Sequence, residues 1–106
     1  MTDTIKVLHK KAGKTMRLKS VPNTLEACQE LVGGDIQVVR LMPGVILVCN
    51  EEGLIRELPE NPYCGRMFFG DWFICGEIGD EFDDVPREYV KLVRKFMTVR
   101  EERKNT

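Results

Sequence analysis

The sequence predicts an α+β domain: a mainly antiparallel sheet of five or six strands, one short helix after the first hairpin, and a longer C-terminal helix packed on a sheet face. Three observations predict it. Apolar residues alternate around a glycine turn near the N-terminus, the stretch 36–58 reads as apolar runs broken by short turn signals, and residues 85–97 carry apolar side chains at helical spacing. The 106 residues are read as one domain, 1–106, because a chain of this length supports one core.

Residues 5–21, IKVLHKKAGKTMRLKSV, set Ile5 and Val7, then Met16 and Leu18, in alternation on either side of KKAGK, the pattern of a hairpin turning near Gly13. After Pro22, Asn23 is expected to cap a helix, with Glu26 three residues on completing a capping box and Leu25, Cys28 and Val32 on one face. Gly33 and Gly34 follow this helix and precede a strand. A phosphate-cradling glycine loop runs the other way, from strand into helix, so these glycines are read as a left-handed C-terminal cap.

IQVVRL, VILVCN and LIREL read as three strands joined at Met42-Pro43-Gly44 and Glu51-Glu52-Gly53. Val38, Val39 and the run Val45 to Val48 are too apolar for a strand with one wet face, so the sheet centre is expected to be covered on both sides or to lie in a subunit contact. So short a chain has few elements for such cover, and a homodimer is expected. The loop PENPYCGR leads into MFFGDWFICGE, an aromatic strand expected to kink at Gly70-Asp71. Beyond the acid-rich loop GEIGDEFDD, Asp83 or Asp84 is placed to cap a helix with Pro86 in its first turn, and Val85, Tyr89, Leu92, Val93, Phe96 and Met97 recur at helical spacing. The basic end of this helix suits its dipole, and the final KNT is expected to fray.

NTLEACQELVGGDIQVV, VILVCNEEG, LPENP and GDWFICGE, in that order, resemble the successive blocks of the family catalogued as domain of unknown function 3846, found in phages and mobile elements of bacteria. The resemblance is most specific in the block that runs from helix through Gly-Gly into strand. It implies a cytosolic accessory protein of a phage or mobile element and brings no catalytic residues to carry over.

The formal charge of −1 hides an uneven distribution: residues 1–20 hold six Lys/Arg and one Asp, residues 21–84 three against thirteen acids, and residues 85–106 seven against three. Folding either pairs these blocks or leaves separate charged faces. No apolar run approaches the roughly 18 residues of a membrane span, and the N-terminus lacks a signal peptide's apolar stretch, so a cytoplasmic protein with no membrane partner is expected. Cys28, Cys49, Cys64 and Cys75 form no C-x-x-C pair and are read as reduced, mostly buried thiols; His9 is the one histidine and is expected on an exposed hairpin. Neither metal nor cofactor is expected. Without a nucleophile beside a histidine no catalytic set can be drawn, and the acids from Glu77 to Asp84 do not match the twelve-residue calcium loop.

Three functions remain. The first is a non-enzymatic binding module acting on a host protein, anti-defence roles included, with its contact surface drawn from MFFGDWFIC. The alternative is a sponge for a small anionic signalling nucleotide, in which Trp72 or Phe69 stacks a base, Arg66 and a hairpin lysine meet phosphate, and Asn61 lies in the adjoining loop. Nucleic-acid binding through the basic ends ranks last, because the pI is about 5.9 and the basic segments hold few aromatics.

Overall fold

Strands β1 (Thr4–Lys10) and β2 (Met16–Pro22) form the expected antiparallel hairpin, with Gly13 at φ +75° in its turn. The structure is a computed structural model that describes residues 3–102; the final KNT lies outside them. Helix α1 (Leu25–Val32) follows, then β3 (Ile36–Met42), β4 (Val45–Asn50), β5 (Trp72–Ile78), β6 (Glu81–Asp83), α2 (Arg87–Arg94) and β7 (Val99–Glu101). The strands make one seven-stranded sheet in the order β3-β4-β5-β1-β2-β7, with β6 alongside the end of β5. Every pairing is antiparallel except that of β2 with β7, and the fold is α+β.

The centre of the sheet is covered on both faces within one chain. On one face, α1 packs over β3, β4 and β5, closing a core of Ile5, Val7, Val21, Cys28, Val32, Ile46, Val48, Phe73 and Cys75. On the other, Leu8, Met16, Leu47, Ile74 and Trp72 meet Tyr63 and Phe68 from the 51–71 segment and Val90 and Val93 from α2. Residues Val45–Asn50 and Trp72–Gly76 are accordingly buried without interruption, which alternation with a wet face could not give. The premise for a homodimer, that one chain lacks cover for this meander, does not hold in this geometry.

Several local expectations are corrected. The cap of α1 is Thr24, whose Oγ1 accepts from the Ala27 amide at 3.1 Å; Asn23 instead donates from Nδ2 to the Phe82 carbonyl at 3.2 Å, tying the helix entry to β6. Leu25 is exposed, so the apolar face of α1 rests on Cys28 and Val32. Gly33 is the left-handed C-cap at φ 79°, as its position after the helix implies. Gly34 is held by contact and not by φ: a Cβ there would lie 2.8 Å from Nδ2 of Asn50. That buried amide donates to the Val32 carbonyl at the end of α1 and accepts from the Glu52 amide, so it splices helix to turn.

LIREL is not a strand. Residues 51–57 form successive turns, with Arg56 N–H bonded to the Glu52 carbonyl and Leu54 and Ile55 exposed. The acid-rich loop is a hairpin between β5 and β6, and neither Asp83 nor Asp84 caps α2: the N-cap is Pro86, without a side-chain bond, while Asp84 accepts from the Lys6 amide at 2.8 Å. The second helix is no longer than the first, eight residues each. It ends at Arg94, and Val99 and its neighbours pair as a strand with β2; Leu92, on the outer face of the helix, and Phe96, beyond its end, are exposed. The aromatic segment does kink where expected, at Gly70 with φ +89°, and is regular strand only beyond it.

Candidate anion-binding site

The residues drawn from the aromatic segment come together as core. Trp72 has no exposed surface; its ring meets Tyr63 edge-on at 5.1 Å between centroids, and Nε1 donates to the Asn61 carbonyl at 2.7 Å. Asn61 is equally buried, donating from Nδ2 to the carbonyls of Lys10 and Gly70 and accepting from Lys10 Nζ. Phe69 is half-buried in a bridge to Glu60, and Arg66, exposed, lies with its guanidinium 5.8 Å from the Phe68 ring. No face of Trp72 is open to a base. The tyrosine hydroxyls of Tyr63 and Tyr89, 2.7 Å apart, clamp this loop onto α2.

A different set of residues forms an open polar site. Along β2, Met16 and Leu18 point into the core on the α2 side, so Arg17 and Lys19 must point to the opposite face. Arg17 stands directly across from His9 on β1 and from Arg100 on β7, and Lys19 across from Val7. Residues opposite one another share a face, so His9, Arg17 and Arg100 form a row across three strands. Helix α1, eight residues and roughly 12 Å long, rests chiefly on β3, β4 and β5 on this face and leaves Arg17 and Arg100 exposed. The uncovered part is a depression of about 430 Å³ lined by His9, Lys11, Lys14, Thr15, Arg17, Lys19, Arg100 and Glu102. Among the described residues none of its five Lys and Arg side chains is in an ion pair. A neighbouring depression toward α1 shares His9, Lys11 and Lys19 and brings in Glu30 and Asp71. The Asp71 carboxylate accepts from the Ala12 amide at 2.9 Å, so it holds the hairpin turn.

The family description Domain of unknown function (DUF3846) matches residues 5–98. The chain belongs to this family. No curated protein and no solved structure matches it. The DUF3846 match takes in the hairpin that carries Lys11, Lys14, Arg17 and Lys19 and stops just before β7, which carries Arg100.

His9 in this DUF3846 chain is not the exposed hairpin residue expected. It is 4% exposed, and Nε2 lies 3.0 Å from the Leu31 carbonyl at the end of α1, which makes that nitrogen the protonated one in the neutral ring. Burial lowers its pKa, and the nearby Lys19 and Lys11 lower it further, against the opposing pull of the Leu31 carbonyl and Asp71. Because the native pKa lies below the unfolded value of 6.5, the unfolded chain takes up a proton first as pH falls. Stability contributed by neutral His9 is therefore complete above about pH 7 and lost progressively below about 6.5. Thermal melts from pH 7.5 to 5 should show a smaller acid loss for His9→Gln, which keeps a donor, than for the parent.

Burial pushes the Cys75 thiol up to about 12 and raises those of Cys28 and Cys49 as well, so these three stay protonated and inert at neutral pH. Cys64 is exposed in a turn. No three His, Cys, Asp or Glu side chains among the described residues gather as a metal site. No helix among them is long and apolar enough to cross a membrane. The signal for the basic site was present in the sequence as RLK alternation after the hairpin turn and as the positive charge of residues 1–20. What concealed it was the pairing of 99–101 with β2, since those residues continue an apparent helix.

Proposed function

We propose that this protein is a non-enzymatic binding module that engages an anionic partner through the face formed by β2 and β7. One observation carries the reading: five Lys and Arg side chains line one shallow depression, without ion pairs among the described residues, in a chain whose formal charge is −1. Gathering like charge on one side of a sheet costs self-repulsion, and an anionic partner removes that cost. In the phage or mobile-element setting that the family resemblance implies, the protein would work in the host cytoplasm on a host component, as an anti-defence factor would. The nucleotide-sponge alternative would also have to use this face, since Trp72 offers no stacking surface.

Heparin chromatography at neutral pH tests the proposal. A protein of this net charge should pass through unless a local patch retains it. The parent is expected to bind and to elute with salt. A triple variant, Arg17→Gln, Lys19→Gln and Arg100→Gln, should flow through, whereas Arg87→Gln, Lys91→Gln and Lys95→Gln, an equal charge change on and beside α2, should still bind. Equal retention of both variants would sink the proposal.

A further inference from the structure

We infer that the partner is the phosphodiester backbone of double-stranded nucleic acid, gripped without reading its bases. The inference rests on the anion-binding reading above and names the anion. Three features of the site point the same way.

Spacing comes first. Arg17 and Arg100 are register partners on adjacent strands, and Lys19 is two residues along from Arg17. Neighbouring strands lie about 4.8 Å apart, and alternate residues roughly 6.6 Å apart, so the side-chain origins form a lattice of charge at the scale on which phosphates follow one another along a nucleic-acid strand. A compact anion such as a single phosphate group can meet two of these cations; a repeating one can meet them all. Both arginines can hold phosphate oxygens in bidentate fashion, with the lysines adding point charge.

Lining comes second. The depression contains no aromatic side chain, and its one ring, His9, is buried and bonded to Leu31. Binders of single strands combine a basic groove with aromatic platforms for unstacked bases, and pockets for small nucleotides enclose the base in apolar surface. A duplex presents bases already stacked and leaves phosphates outermost, which suits a surface rich in Lys and Arg and without a stacking platform.

Placement of the acids comes third. The low pI argued against nucleic acid when charge was taken over the whole chain, but the densest run of acids is set apart from the site. The β5–β6 hairpin, with Asp80, Glu81, Asp83 and Asp84, lies at the Lys6 end of β1, whereas Arg17 and Arg100 stand level with His9 toward its other end. The cations therefore sit where the duplex would meet them, with Glu102 on one rim and Glu30 and Asp71 on the other.

Fluorescence anisotropy with two labelled duplex DNAs of about 20 base pairs and unrelated sequence is the test. Both should bind within a few-fold of each other, and the logarithm of affinity should fall with the logarithm of salt at a slope of roughly −3 to −4.5, about 0.9 for each of three to five phosphates neutralised. Arg17→Gln, Lys19→Gln and Arg100→Gln should each flatten that slope by about 1 and weaken both duplexes alike, while Lys91→Gln leaves it unchanged. Circular dichroism should confirm that the variants, all altered at positions outside the buried core, remain folded. Absence of duplex binding with heparin retention intact would overturn the inference and leave the anion-binding reading standing; loss of both would overturn both. Tighter binding of the single strand, or displacement of the duplex by poly-glutamate at equal charge, would also overturn it.

Discussion

Trp72→Ala is expected to lower the unfolding free energy by about 3–5 kcal/mol, the range for removing a fully buried large aromatic. The ring has no exposed surface and is packed by Tyr63 at 5.1 Å and Phe68 at 6.4 Å, all on the face that α2 closes. Its loss also leaves the Asn61 carbonyl without the indole donor. Urea unfolding followed by circular dichroism measures the change. In the parent, tryptophan emission should be blue-shifted and unmoved by added ATP, shifting to the red only on unfolding. A loss under about 1 kcal/mol, together with emission that responds to nucleotide, would show that Trp72 faces a ligand.

Asn61→Ala should rank next. Its Nδ2 group serves the carbonyls of Lys10 and Gly70, which belong to the end of β1 and the kink before β5. Removing the amide strands both acceptors, at roughly 1–3 kcal/mol for each that water cannot reach. The exposed neighbour Arg66→Ala gives the comparison and should stay within about 0.5 kcal/mol of the parent. Were Asn61→Ala to unfold like the parent, the amide could not be the clip that joins loop to sheet.

How much of this could be seen in the sequence depends on how local the cause was. The first hairpin, the Gly33 cap and the Gly70 kink are each dictated by residues within a few positions, and all three appear where the sequence places them. The double cover of β4 was also legible, because Val45–Val48 leaves no polar position for a wet face, whereas Val38 and Val39, expected to share that cover, lie on the edge strand β3, exposed and half-buried. LIREL failed for a tertiary reason. Its alternation suits a strand, yet Gly53 is pressed against the Phe69 carbonyl, where a Cβ would sit 2.3 Å away, and the segment turns to stay beside it. The candidate site failed differently: Asn61, Phe69, Trp72 and Arg66 do lie in one region, but the aromatics that suggested stacking were taken up by the core. Of the cations that do share a face, four lie on the first hairpin, and Arg100 joins them through the most distant pairing in the sheet, which no local pattern reports.

That pairing also sets an order of events during synthesis. The first hairpin leaves the ribosome early, yet the outer edge of β2 has no partner until residues 99–101 emerge, on the order of ten seconds later at 5–20 residues per second. Throughout that interval β2 offers an open backbone with Met16 and Leu18 beside it, the kind of edge on which nascent chains join one another. Arg17 and Lys19, alternating with them, are the charges that discourage such joining. The cations that line this depression thus protect the growing chain before the finished fold exists.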